Sequence, residues 1–463
     1  MAFDSVIHNG TLVTVDAHMR IIEKGWIGIQ GGVIRAIQSV APDTPTPYAG
    51  LTIDAAGGIV MPGLVNAHTH LPMSLFRGMA DDIPLMTWLN DHIFPAEARF
   101  IHADTVHWGT LLACAEMLLS GTTCCCGGYF LEEVVARAVA ETGLRAVLAQ
   151  GVIDFPAPGV PNPALNIAHA GGYAQRWQGR SRLISPSIFC HSPYTCSDNT
   201  LEAAKATADD RNLVLQVHVA ETRFERDRSN EEKGCSPVAH LCQLGILDQR
   251  TLMAHCVWVD DADIDIIAGC GCAVAHCPES NMKLASGIAP VTAMRAAGIT
   301  VSLGTDGCAS NNNLDMFGEM ATAARLHKLA TGDPTALDAA SALKMATIDG
   351  ARAIGLGDRI GSLETGKQAD IIVLDSRVPH LTPMYHPASH IVYAAGGADV
   401  RHVLVAGRPV VEERQLLTLN IREIMDRVNT IADAIRSSPN EYANGQNPKI
   451  TGIEEGLTPK RKP

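Results

Sequence analysis

Eight short apolar runs alternate with longer amphipathic stretches between residues 59 and 354, and this rhythm limits the fold more than any other feature of the chain. The runs lie at 59–66, 120–126, 144–150, 183–190, 213–219, 251–255, 272–276 and 299–304. Helical patterns separate them, among them 104–119, 131–142, 198–210, 237–244, 260–268, 290–297 and 313–330, and a further one follows at 335–354. Strands that alternate with helices in this way form a parallel sheet, and eight such units close into a (β/α)8 barrel. Residues 1–60 follow another pattern. Short β-like runs are separated by Asn9-Gly10, Gln30-Gly31-Gly32 and a Pro/Thr-rich stretch at 42–49, as expected of a small antiparallel sheet. β character returns at 369–375 and 400–411. The expected fold is therefore an α/β protein, a distorted (β/α)8 TIM barrel (60–364) with a small β-sandwich built from both chain ends (1–59 and 365–420). A C-terminal helix and polar surface tail (421–463) would follow.

Barrel enzymes carry their chemistry at the C-terminal ends of the strands. The first run ends in His68-Thr69-His70, the fourth in Cys190-His191, the fifth in His218-Val219-Ala220-Glu221, the sixth in His255, and the eighth in Gly304-Thr305-Asp306. Two histidines two residues apart leave a strand on the same side. Taken alone, the pair is also what an ordinary polar strand end looks like. Together, three imidazoles (His68, His70, His218) and one carboxylate (Asp306) make a ligand set for a single divalent metal, with a position left for water. Zn2+ is the expected ion, and Fe2+ or Mn2+ suits the same donors. Glu221 is placed to move a proton and His255 to steady developing charge, while Asp306 can also accept a proton from water.

The remaining features exclude other classes. A net charge of −13 repels nucleic acid and anionic membranes. No apolar run reaches membrane-spanning length, and no apolar leader opens the chain. The 13 cysteines are scattered without a CxxC pair, which suits free thiols in a reducing cytoplasm. Cys124, Cys125 and Cys126 are read as packing within the second barrel strand. A small-molecule substrate and a homo-oligomeric assembly are expected.

The motifs HTH, HVAET, AHCV and LGTDG resemble those of the amidohydrolase superfamily of metal-dependent hydrolases and deaminases. Binuclear members usually carry a carbamylated lysine on strand 4; residues 183–190 (LISPSIFC) hold none. The segments MSLFRGMADDIPLMTWLNDHIFPAEARF, HSPYTCSD, HCPESNMKLASGIAPV and LGTDGCASNNNLDMFGEM further resemble the methylthioadenosine/S-adenosylhomocysteine deaminase family, over roughly residues 1–415. The resemblance implies the metal ligands already named, Glu221 as proton shuttle, Glu97 on the ribose hydroxyls, His191 on the purine and Ser310 beside the substrate. Trp88 lies in the same segment as Glu97. Its stronger reading is a core aromatic, and it is kept as a candidate substrate contact. One departure stands out: Gly127-Gly128 replaces an acidic residue often found after strand 2.

The implied reaction is hydrolytic deamination of an adenosine-type nucleoside at purine C6. The loop 151–160, GVIDFPAPGV, has no basic residue and one acid, so a neutral methylthio group is preferred over a homocysteine carboxylate. Arg77 is the one residue that could rescue carboxylate binding. The alternatives are a hydrolase of another amino- or chloro-heterocycle (an s-triazine, a pterin or a guanine-type ring) and a non-catalytic scaffold of the same shape.

Overall fold

The computed structural model describes residues 3–40 and 47–437. Its centre is a sheet of eight parallel strands in sequential order. They are Leu64–Thr69, Thr122–Tyr129, Arg145–Val152, Ile184–Cys190, Leu215–Val219, Thr251–His255, Ala273–His276 and Thr300–Leu303. Side chains alternate across each strand. Cys124 and Cys126 pack inside the barrel with Val65, Ala67, Val147, Ala273 and Ala275, whereas Cys125 joins the layer beneath the helices. All thirteen cysteines are free. The short helix Ile348–Ala353 brings Ala351, with Ile354 just after it, into the same interior cluster.

The chain ends form a second sheet of nine strands. It is mixed, not purely antiparallel as expected. Phe3–Val13 pairs antiparallel with Ile21–Gln30 but parallel with both Ala49–Asp54 and Ile59–Pro62. Ala369 accepts from Gly407 N–H and donates to the Gly32 carbonyl, both at 2.9 Å. The sheet thus curls over a core that includes Ile7, Ile27, Ile29, Val60, Ile371 and Leu404.

The run expected as one strand over 59–66 is two. Ile59–Pro62 pairs with Ile371–Leu374 in the terminal sheet, and Leu64–Thr69 begins the barrel. The run parts after Gly63: Gly63 N–H still donates to the Asp370 carbonyl at 2.9 Å, whereas Leu64 N–H donates to the Gly121 carbonyl at 3.0 Å. The helix expected over 335–354 is also two, Ala339–Met345 and Ile348–Ala353, which part at Thr347. The helix Ile421–Ser437 forms as expected. It buries Ile424 and Val428 and sets Arg427 over the Trp108 ring. The tail expected after it, residues 438–463, lies outside the described residues.

The barrel is tied to the terminal sheet by one buried ion pair. Arg145, at the start of the third barrel strand, donates from Nε to Asp370 Oδ2 at 2.7 Å and from Nη2 to Oδ1 at 2.9 Å. Both side chains are 1% exposed. Asp370 Oδ1 also accepts from Ala406 N–H, and Gln368 Oε1 from Arg145 Nη2. With every partner in place the pair gives orientation; with one partner gone a buried charge is stranded. Asp370→Ala is expected to cost about 3–5 kcal/mol, read as a fall in the urea unfolding midpoint. A loss under about 1 kcal/mol would show that Arg145 finds solvent or another acceptor.

Candidate active site

The first barrel strand reaches the site through a bulge. Between Asn66 and Thr69 it advances three residues while its neighbour advances two, from Cys125 to Gly127. The extra residue reverses the alternation. Val65 and Ala67 face the barrel interior, and after the bulge His68 and His70 face it as well. Asn66 is left on the other side and becomes a strut. Its Nδ2 donates to Thr305 Oγ1 at 2.7 Å, and its Oδ1 accepts Thr305 N–H at 3.1 Å. The first and eighth strands meet there. Asp306 N–H donates to the His68 carbonyl at 3.0 Å, and Thr69 Oγ1 donates to the Asp306 carbonyl at 3.0 Å.

His68 joins two groups of donor atoms, one with His70 and Asp306 and one with His218 and His255. His218 Nε2 lies 3.2 Å from His68 Nε2. Asp306 Oδ1 lies 3.5 Å from His68 Nε2 and 3.3 Å from His70 Nε2. Donors bound at about 2.1 Å around one tetrahedral ion are about 3.4 Å apart, which these three spacings match; His218 groups with His68 and His255, and not with His70 and Asp306. His255 is nearer than expected for a residue acting only on water: its ring nitrogen is within 4.8 Å of the donor atoms of both His68 and His218.

Neighbours orient this set. His70 Nδ1 sits 2.6 Å from the Gly128 carbonyl, which turns its Nε2 to the centre. Asp306 Oδ2 accepts from Ser280 Oγ at 2.7 Å and Ser310 Oγ at 2.8 Å, and its Oδ1 accepts Gly307 N–H at 2.8 Å. Ser310 thus also holds Asp306, a contact the sequence did not reveal. His255 Nδ1 lies 2.9 Å from Asn281 Oδ1. The strand ends carry backbone strain at Ala220, His255, Cys256 and Asp306, all non-glycine residues at positive φ (50°, 71°, 48° and 61°).

Electrostatics separates the groups. Burial holds the His68 ring down at about 4 and His218 well below its usual range, so both are neutral with lone pairs to offer. Burial works against the Asp306 carboxylate, yet the hydrogen bond to His68 and the charges of His255 and His70 hold its pKa well below the usual range. For His255 burial opposes the charge as well, but the carboxylates of Glu221 and Asp306 raise it. Burial raises Glu221, whose Oε2 is 3.9 Å from His255 Nε2 and whose Oε1 accepts from Ser286 Oγ at 3.4 Å.

A pocket open to solvent lies over this cluster. Glu97, Trp88, His191, Glu221, His255, Asp306 and Ser310 all line it, with Tyr129 and Phe189. His68 lies behind it. Trp88 and Glu97 come from the segment after the first strand, where the wide turn Trp88–Ile93 runs into the helix Phe94–Phe100. Glu97 is buried, and its Oε1 accepts the Tyr129 hydroxyl at 2.5 Å. Burial pushes Glu97 up to about 7, and the Tyr129 hydrogen bond opposes the rise. His191 Nδ1 is held by Thr195 Oγ1 at 2.9 Å, and its ring stands edge-on to His218.

Two expectations are corrected. Asp154 does not line the cavity: it accepts from Ser197 N–H at 2.6 Å and Thr200 Oγ1 at 2.8 Å, and so fastens the start of helix Asp198–Asp210. Arg77 does not reach in either. It pairs with Glu116 and donates to the Asn312 carbonyl at 2.5 Å. The Gly127-Gly128 departure has a packing reason, since a Cβ on Gly128 would sit 2.5 Å from Phe189. Tyr129, Phe189, Ser280 and Asn281 were missed. Tyr129 and Phe189 stand at or next to strand ends, and Ser280-Asn281 sit in the HCPESN motif, so position was the signal available.

Comparison with known proteins agrees with this geometry. Residues 59–410 match the amidohydrolase family. The chain is 47% identical over 433 residues to a 5-methylthioadenosine/S-adenosylhomocysteine deaminase of Syntrophobacter fumaroxidans, covering 94% of this chain and 98% of that one. It is 43% identical over 433 residues to a 5'-deoxyadenosine deaminase of Methanosarcina mazei, covering 93% and 98%. Among solved structures, an adenosine deaminase from Xanthomonas campestris with bound zinc superposes with a TM-score of 0.92 at 40% identity, covering 94% of this chain and 99% of that one.

Proposed function

This chain belongs to the amidohydrolase family and, within it, to the methylthioadenosine/S-adenosylhomocysteine deaminases, and from that premise we propose that it hydrolyses the 6-amino group of an adenosine-type nucleoside, giving the inosine analogue and ammonia. The observation that carries the reading is a single cavity lined both by the His/Asp donor cluster and by the buried Glu97 carboxylate. A ribose gives the Glu97 carboxylate two vicinal hydroxyls to accept from, a pairing that a triazine or a free base lacks.

His68, His70, His218 and Asp306 are the residues that would hold one divalent ion, zinc in this reading. When bound, such an ion lowers the pKa of water from 15.7 toward about 7. The rest of the chemistry falls to side chains. Attack at C6 breaks the aromaticity of the ring, so a proton must reach N1 in the same step. Glu221, with its pKa raised by burial, gives that proton and is reprotonated by the hydroxyl left on C6. Asp306 takes the first proton of the attacking water and hands it to the departing amino group, which leaves as ammonia. His255, held by Asn281, steadies the negative charge that grows on the oxygen. His191 orients the purine, and Trp88 covers it.

Val152, Ile153, Leu85, Leu89 and Phe94 are apolar parts of the cavity wall, and no Lys or Arg lines it among the described residues. A neutral 5' group is favoured. Methylthioadenosine is expected to be the best substrate, with 5'-deoxyadenosine and adenosine also accepted and S-adenosylhomocysteine poor.

The test is ammonia release from the purified protein with these four nucleosides, guanine and an s-triazine. The reading expects the highest kcat/KM for methylthioadenosine and loss of activity on chelation. Release from guanine or the triazine alone would overturn it, and a clear preference for S-adenosylhomocysteine would overturn the account of the 5' end. Ribose recognition gives a pH signature. Glu97 accepts two hydroxyl hydrogen bonds only as the anion, and its pKa stands at about 7. KM for ribonucleosides should therefore rise as pH falls below about 7, and KM for 2',3'-dideoxy analogues should not. Parallel curves for both would assign the titration to another group.

A further inference from the structure

Glu225 is a buried carboxylate with no role in the chemistry above. It is 3% exposed, and its Oε1 has no hydrogen-bond partner. No arginine, lysine or histidine pairs with it in an ion pair among the described residues. A carboxylate kept in this way costs stability, so a structural salt bridge does not explain it. Its other oxygen does have a partner. Oε2 accepts the backbone N–H of Glu221 at 2.9 Å.

That bond sits on a strained corner. Ala220, a non-glycine residue, has φ of 50°. Such a conformation persists only where its surroundings over-determine it. On one side the Ala220 carbonyl accepts N–H from Val257 at 3.1 Å and from Trp258 at 2.8 Å, the residues that follow His255-Cys256. On the other side the Glu221 N–H is held by Glu225. Trp258 Nε1 in turn donates to the Ser286 carbonyl at 2.6 Å, and Ser286 Oγ donates to the Glu221 carboxylate. Glu225 is itself fixed in the first turn of helix Arg223–Lys233, where Thr222 Oγ1 accepts its N–H at 3.3 Å. The positive end of that helix favours an acidic side chain there.

We infer that Glu225 is a positioning residue: its carboxylate fixes the Ala220-Glu221 corner and so sets Glu221 in register with the strand end that carries His255. The inference rests on the reading of Glu221 as the proton shuttle. Glu225 acts through geometry, as an acceptor, and not through its charge. A glutamine at the site retains an acceptor oxygen; an alanine does not.

The experiment compares the metal-loaded wild type with Glu225→Ala and Glu225→Gln by two readouts. The first is hydrogen exchange of the Glu221 amide. It should be slow in the wild type, fast in Glu225→Ala and slow again in Glu225→Gln. The second is steady-state deamination. Glu225→Ala should lose on the order of 10- to 100-fold in kcat with little change in KM, and Glu225→Gln should recover most of it. Glu225→Met, which fills the same volume without an acceptor, stands in if the alanine variant does not fold. Equal amide protection in all variants would overturn the inference, as would a kcat of Glu225→Ala near that of wild type or a Glu225→Gln as impaired as the alanine variant. A wild type that releases no ammonia from any nucleoside would defeat the functional reading instead, and amide exchange would still decide the role of Glu225.

Discussion

Everything at the site depends on how closely the eighth barrel strand approaches the first. Gly304 makes that approach. A Cβ at this position would lie 2.8 Å from the Cβ, N and O atoms of His68. With no side chain in the way, Asp306 N–H reaches the His68 carbonyl and Thr305 N–H reaches Asn66. These bonds close the barrel and also bring the Asp306 carboxylate to the two histidines. Closure and ligand placement are thus one event. The strained backbone at Asp306 is held by the same contacts, and its carboxylate by the hydroxyls of Ser280 and Ser310.

The site then divides its charges by environment. Neutral, buried imidazoles face an ionised Asp306, as a cation needs. Glu221 and Glu97 are carboxyls lifted by burial, Glu97 to about 7. Pairs of groups whose surroundings push their pKa values apart are the usual mark of assigned acid and base roles. In this site the split comes from placement. Asp306 sits among histidines, whereas Glu97 is buried beside the Tyr129 hydroxyl.

Much of this could be read in the sequence, because strand ends are punctuated by residues that a purely structural barrel does not use. His68, His70, His218, His255 and Asp306 all sit where apolar runs stop. What escaped depends on pairing between distant segments. The bulge at Asn66–Thr69 is set by register against Cys125–Gly127, and no local pattern records it. The Glu97–Tyr129 bond joins residues 32 positions apart. The single acid of the 151–160 loop looked like part of the wall, but its partners Ser197 and Thr200 lie on the next helix and turn it away. The division of 59–66 into two strands was within reach, since Pro62-Gly63 is itself a break signal. The C-terminal helix was legible from its periodicity, because Ile424 and Val428 recur at helical spacing.

The most direct measurement of the central claim is the metal content of Gly304→Ala, determined by elemental analysis on folded protein beside the wild type. The account predicts about one equivalent per chain in the wild type and far less in the variant, since the added methyl separates Asp306 from His68 and His70. A folded Gly304→Ala that holds as much metal as the wild type and deaminates as fast would contradict it.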